Sequence, residues 1–169
     1  MAAGPFEERQ TFHWTIYVFL LLIFAALLWA LDSTPQPGKH LWAPLAWILF
    51  AYLISVNVLF MRTTVDKHDL IAQFGYCVPL YWKRIPLETI LHARVVEYRP
   101  IRNAGGWGIR FGNFEKERCR FLNCRGNRGV LLETARLRWI IGSQQPEQLL
   151  AALEREMQLQ RGTPASDAQ

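Results

Sequence analysis

Two stretches of the chain lack the alternation of apolar and polar positions that runs through the rest. Residues 11–31 (TFHWTIYVFLLLIFAALLWAL) and 41–60 (LWAPLAWILFAYLISVNVLF) contain no Asp, Glu, Lys or Arg. A run of about 20 mostly apolar residues suffices to cross the hydrocarbon core of a bilayer. The pattern therefore predicts two membrane helices, over 12–31 and 41–60, because the remainder of the 169-residue chain is too small to enclose both in a soluble core. The connector between them, DSTPQPGKH, holds two prolines and a glycine and predicts a tight turn, making the pair a hairpin. Residues 1–10 read as an amino-terminal tail whose flank, PFEERQ, is mixed in charge. No small-residue cleavage pattern follows the first apolar run, so it reads as a retained anchor and not a signal segment.

Beyond residue 60 the period shortens to two. Short β-prone runs follow one another: TTVDKHDLIAQFG with a polar DKHD turn, YWKRIPLETI, HARVVEYRPI closing at Pro100, GIRFGNF, RCRFLNC, GVLLET and LRWIIGS. In the last, Leu137, Trp139 and Ile141 share one face. The period then changes again. In PEQLLAALEREMQ, Pro146 suits a first helical position, and Leu149, Leu150, Leu153 and Met157 form one helical stripe. Short strands followed by one amphipathic helix predict a small sandwich or barrel over 61–157 with the helix closing its open mouth. Residues 158–169 read as a disordered tail.

Charge orients the hairpin. From residue 61 onward there are 17 Lys and Arg against 11 Asp and Glu, which accounts for the positive excess of the chain. Arg62, Lys67, Lys83 and Arg84 follow the second apolar run closely, whereas the connector has Lys39 alone. The positive-inside rule places both chain ends in the cytoplasm. Trp14, Trp29 and Trp42 fall near the ends of the apolar runs, where interfacial aromatics gather, and Pro44 falls in the first turn of the second helix.

Candidate chemistry is sparse. In NAGGWGIRFG, residues 103–112, Gly106 and Gly108 are followed by Phe111 where a dinucleotide fingerprint requires glycine, and the text that follows is strand-like, not helical. Gly105, Gly106, Trp107 and Gly108 therefore read as a structural turn, and Gly126 with Gly129 in GNRGV as a second one, suited to a hairpin. His13, His40, His68 and His92 have no ligand spacing, and no nucleophile or carboxylate is marked as a partner for His92; Glu88 and Glu97 read as solvated charges. Cys77, Cys119 and Cys124 are odd in number and read as reduced thiols, not a metal site or disulfide frame. These observations predict no catalytic centre, no metal and no cofactor. The feature that points toward function is basic: Arg99, Arg102 and Arg110 around the glycines, then Arg118, Arg120, Arg125 and Arg128, with Lys83 and Arg84 earlier. Arginine suits phosphate through its two-pronged donor geometry. Pairing with Glu97, Glu115 and Glu117 is the structural alternative.

The segments TVDKHDLIAQFG, RIPLETI, EYRPIRNAGGWGIR, NCRGNRGVLLET and IIGSQQPEQLLAAL resemble, in this order, small bacterial membrane proteins carrying a pleckstrin-homology-like domain, a family of uncharacterised function. The resemblance implies a membrane α-helical hairpin plus an α+β, mainly β, domain of about seven antiparallel strands closed by one carboxy-terminal helix. It further implies a bacterial inner-membrane protein. Phosphoinositide-binding members of the wider fold place several basic residues around the first hairpin, where this chain has Lys83 and Arg84. General contact with anionic lipid headgroups, or with a membrane-protein partner, is therefore the expectation. The alternative is a structural homo-oligomer built through the domain and the hairpin; nucleic acid is not an expected partner.

Overall fold

The computed structural model describes residues 6–33 and 42–162. It is a mainly β, α+β structure with two helices near its amino terminus and one at its carboxy-terminal side. In chain order the elements are β1 (Phe6–Thr11), α1 (Trp14–Asp32), α2 (Trp42–Val58), β2 (Phe60–Val65), β3 (Asp69–Phe74), β4 (Tyr81–Pro86), a 3-10 turn (Leu87–Thr89) and β5 (Ile90–Glu97). Then come α3 (Pro100–Ala104), β6 (Gly108–Phe114), β7 (Glu117–Asn123), β8 (Arg128–Thr134), β9 (Arg138–Gly142) and α4 (Pro146–Gly162). The connector expected between the two apolar helices lies, from residue 34 to 41, outside the described residues, as do residues 1–5 and the end of the tail from 163.

Helix α1 is long and apolar enough to cross a membrane; at 1.5 Å per residue it extends about 28 Å, close to the thickness of a hydrocarbon core. Helix α2, with 17 residues, is shorter. The two lie side by side, with Phe24 edge-on to Tyr52 at 5.2 Å between ring centres. Neither buries a face against the sheets: Phe19, Leu22 and Trp29 of α1 and Trp47, Phe50 and Leu53 of α2 are all exposed. Ser33 Oγ donates to the Trp29 carbonyl at 2.8 Å and Ser55 Oγ to the Ala51 carbonyl at 2.7 Å, each one turn back along its own helix, while the Tyr17 hydroxyl donates to the Leu59 carbonyl at 3.3 Å. Such self-satisfaction is what a surrounding without hydrogen-bonding solvent demands. Helix α1 runs over 14–32 against the expected 12–31, and α2 ends at Val58, short of the expected 60, since Phe60 already opens a strand.

Strands β1 to β4 form one antiparallel sheet in sequence order, and the second sheet has the order β5-β8-β9-β7-β6. Their facing sides share a core. Met61, Leu70, Phe74 and Ile85 come from the first sheet, Leu122, Val130, Leu132, Trp139 and Ile141 from the second, and Leu149 and Leu153 from α4. Leu150 and Met157 pack against the same core, and Leu137, Trp139 and Ile141 fall on one side as their spacing requires. The opposite side of the second sheet carries a separate cluster of Val96, Tyr98, Ala104, Cys119, Phe121, Leu131 and Ile140. The central strands of this sheet are thus buried on both faces, which explains their nearly continuous apolar text.

Four expectations are corrected. Residues 6–11 are not tail but a strand, pairing with β2 from Phe6↔Val65 to Thr11↔Phe60. The strands number nine among the described residues, and one pair, β7 with β9, is parallel. The segment GNRGV is not a hairpin: β9 inserts between β7 and β8, and Gly129 lies within β8 opposite Gly142. A Cβ on Gly129 would meet the Ile141 carbonyl oxygen at 2.3 Å, so this glycine serves strand packing. Helix α4 also runs on to Gly162, past the expected boundary at 157.

The most consequential feature is the insertion point of the hairpin. β1 leads into α1, α2 returns into β2, and β1 and β2 are hydrogen-bonded neighbours. The Phe12 N–H donates to the Leu59 carbonyl at 3.2 Å, so the ladder continues to the foot of the helices. The β domain is joined to the hairpin by two strands of one sheet, without a flexible linker. β1 is also locked from the other side. The Glu8 carboxylate, buried, accepts from Ser143 Oγ at 2.5 Å and from the Gln144 N–H at 2.7 Å, and Gln10 Nε2 donates to the Gly142 carbonyl at 2.9 Å.

Candidate functional site

The glycine-rich segment is architecture. Pro100 opens α3, as its lack of an N–H favours. Gly105 at φ 70 caps the end, its N–H donating to the Ile101 carbonyl at 3.0 Å; the left-handed conformation costs glycine little. Helix α3 then lies across β6 so closely that a Cβ on Gly112 would sit 1.9 Å from the Asn103 carbonyl oxygen. Asn103 fastens the two, its Oδ1 accepting from the Arg99 N–H at 2.8 Å and its Nδ2 donating to the Asn113 carbonyl at 3.0 Å. Trp107 remains partly exposed, its indole N–H donating to the Gly126 carbonyl at 3.1 Å. Gly106, Gly108 and Gly126 also adopt positive φ.

The basic residues singled out in the sequence divide into separate groups. Arg118 and Arg120 lie on β7 and, two residues apart, on one face. Arg120 reaches across three aromatic rings, 4.7 Å from the centre of Phe111, 5.3 Å from Trp139 and 5.8 Å from Tyr81. Lys83, from β4 of the other sheet, places its Nζ 5.3 Å from the same Trp139 centre. Two cations from different sheets therefore converge on one buried indole, and among the described residues neither forms a salt bridge. Arg120 Nε is buried without a hydrogen-bond partner. Aromatic faces attract cations but offer no lone pairs, so both heads keep donors for an incoming oxyanion.

The other candidates surround this pair or lie apart from it. Arg84 is on the outer face of β4, next to exposed Trp82. Arg99, Arg102 and Arg110 are exposed around α3 and β6, with Arg110 Nε donating to the Trp107 carbonyl at 3.2 Å. Arg125 is exposed in the β7–β8 connection, close to the helical hairpin, since neighbouring Cys124 directs its Sγ at the Leu59 carbonyl, 3.7 Å away. Arg128 pairs with Glu147 in the first turn of α4; the Glu147 carboxyl is held low by its own backbone N–H and then by this arginine.

The acidic partners expected for these arginines serve others. Arg138 is the hub, bonding Glu115 at 3.1 Å, Glu117 at 2.9 Å and Glu133 at 2.6 Å, and Arg94 binds Glu115 as well. Hydrogen bonding from Arg94 lowers the Glu115 carboxyl. Glu97 accepts from Asn127 Nδ2 at 2.8 Å. Arg138 was a legible candidate: it faces Glu133 across adjacent strands at the end of an apolar run. The network occupies these three carboxylates and leaves Lys83 and Arg120 without acid.

His13 caps α1, its ring nitrogen accepting from the Thr15 N–H at 3.4 Å. His68 and His92 are exposed on the β2–β3 turn and on β5, and His40 is outside the described residues. Among the described residues no group of three His, Cys, Asp or Glu could hold a metal ion. Cys77 is exposed and unpaired, while Cys119 and Cys124 are buried; burial pushes the Cys124 thiol up to about 12. The arrangement suits binding of a phosphate- or carboxylate-bearing group over an aromatic floor. No protein-family model, curated protein or solved structure matches the chain.

Proposed function

We propose that the chain is a non-enzymatic, two-pass integral membrane protein of a bacterial inner membrane. Both ends face the cytoplasm, and its pleckstrin-homology-like domain binds anionic lipid headgroups at the bilayer surface. The observation that carries the reading is the grafting of the apolar hairpin between the paired strands β1 and β2. A domain joined in this way has no linker over which to diffuse, so its membrane-facing groups meet headgroups continuously, and individually weak contacts become effective. The Lys83–Arg120 pair at Trp139 supplies the recognition chemistry, and exposed Arg84, Arg110 and Arg125 supply the surrounding field. Each basic side chain near an anionic leaflet contributes about 1 kcal/mol. Two sheets on a shared core with a carboxy-terminal helix support the pleckstrin-homology-like assignment, while the five-stranded second sheet with its parallel pair departs from seven antiparallel strands.

The test uses the full chain in mild detergent, offered equal amounts of phosphatidylglycerol and phosphatidylcholine, with retained lipid counted by native mass spectrometry. Preferential retention of phosphatidylglycerol is expected, with the preference reduced in Lys83→Gln and abolished in Lys83→Gln/Arg120→Gln. Thermal unfolding of each variant checks that it remains folded. Equal retention of the two lipids by the wild type, or an undiminished preference in a folded double variant, overturns the reading. Self-association of the wild type without lipid preference would favour the homo-oligomer instead.

A further inference from the structure

The connection between β3 and β4, residues 75–80 (GYCVPL), is at odds with a water-facing loop. From Phe74 to Trp82 there is no charged residue, yet Tyr76 is 65% exposed, Val78 56%, Leu80 46% and Trp82 60%. The segment is held in place. Asn57, in the last turn of α2, accepts at Oδ1 from the backbone N–H groups of Tyr76 (2.9 Å), Cys77 (2.9 Å) and Val78 (3.3 Å). Its Nδ2 donates to the Val78 carbonyl at 2.8 Å. The Gly75 N–H donates to the Phe60 carbonyl, and the Tyr76 ring packs on Phe60 at 5.0 Å. One polar side chain thus satisfies four backbone groups of the loop and fixes it beside the foot of an apolar helix, while the apolar side chains project outward.

We infer that residues 76–82 form an interfacial wedge that dips into the same bilayer leaflet in which α2 ends. The inference rests on the membrane reading of the hairpin and extends it to a surface of the β domain. Satisfying backbone groups internally is what a segment entering a low-polarity medium requires. Tyrosine and tryptophan with a small aliphatic group suit the headgroup–acyl boundary. Arg84 follows Trp82 on the outer face of the sheet, a position from which its charge reaches phosphates beside the wedge. The wedge would set the height of the domain and bring the Lys83–Arg120 pair to headgroup level.

The loop carries its own reporter. Cys77 is exposed, whereas Cys119 and Cys124 are each 1% exposed. The full chain labelled at Cys77 with an environment-sensitive fluorophore is reconstituted into vesicles of phosphatidylcholine and phosphatidylglycerol. A second sample carries the label at Leu22→Cys in α1, in a Cys77→Ser background. The expected result is blue-shifted emission from both labels, quenched by nitroxide-bearing lipid and shielded from aqueous iodide. A Leu22→Cys label quenched by lipid with a Cys77 label open to iodide overturns the wedge and leaves the membrane anchor standing. A Cys77 label shielded from both quenchers also overturns it, in favour of a protein cover. If neither label senses lipid, the membrane reading itself fails.

Discussion

Replacing Glu8 by alanine tests the role of the first strand. Glu8 is buried beside the corner where β9 turns into α4, and its carboxylate accepts from Ser143 Oγ and the Gln144 N–H. Hydrogen bonds to a charged group contribute about 1.5–3 kcal/mol each, and removing the acceptor leaves two donors unpaired in a site with little water. Some of this is recovered by relaxation, since Gln144 itself is exposed. A net loss of about 3 kcal/mol for Glu8→Ala follows, with about 2 kcal/mol for Glu8→Gln, which keeps one acceptor oxygen. For a domain of this size the alanine variant should unfold roughly 10 °C earlier. The internal control is one residue away. Glu7 pairs with Arg9 and Arg62 on the solvent face, and such exposed pairs contribute little, so Glu7→Ala should leave the midpoint unchanged. The assay is thermal unfolding of the full chain in detergent, followed by near-ultraviolet circular dichroism, which senses tertiary packing and not the persistence of α1 and α2. Equal midpoints for the Glu7 and Glu8 variants would refute the claim that β1 is an integral strand of the domain.

Other outcomes follow from the packing and the titrating groups. Gly112→Ala forces a Cβ into the Asn103 carbonyl and should cost about 3 kcal/mol, read as a lowered unfolding midpoint; an unchanged midpoint would remove α3 from its place on β6. Burial pushes the Tyr98 phenol up to about 12 from 10.0, as it does the Cys124 thiol from 9.0. The unfolded chain releases these protons first, so stability should fall as pH rises above about 9 and continue falling to about 12. The decline should be shallower in Tyr98→Phe, and a stability profile flat across that window would contradict the burial of both groups. Thiol titration of the native chain should find one fast-reacting cysteine, Cys77, with the other two reacting only on unfolding; three fast thiols would disprove the packing around Cys119 and Cys124.

What was legible in the sequence is whatever depends on apolar periodicity. The uncharged runs located α1 and α2, the alternation in LRWIIGS placed Leu137, Trp139 and Ile141 on one face, and the stripe in PEQLLAALEREM placed Leu149 and Leu153 against the core. Strand β1 was not legible because its text, FEERQT, inverts the usual rule: its inward positions are Glu8 and Gln10, which are stabilised by hydrogen bonds to distant partners. The insertion of β9 between β7 and β8 was hidden for a related reason. Strand order is set by which neighbours complete the ladder and by the close approach at Gly129 and Gly142, neither of which has a local signature. For the basic set, residue type and the shared face of Arg118 and Arg120 were readable. That Lys83 would join Arg120 over Trp139 was not, since the pair spans two sheets and 37 positions of chain. The role of Asn57 as the anchor of an apolar loop was likewise invisible, because one asparagine at the end of an apolar run carries no directional information.

On the reading proposed above, the β domain rests directly on the bilayer because the apolar hairpin grows from two paired strands of its first sheet. Neutron reflectometry of the full chain reconstituted in a supported bilayer measures this most directly. The expected profile has protein density through the hydrocarbon layer, continuous with one compact protein layer that abuts the headgroups with no intervening water. A resolvable water layer between headgroups and domain, or a hydrocarbon layer free of protein, would contradict it.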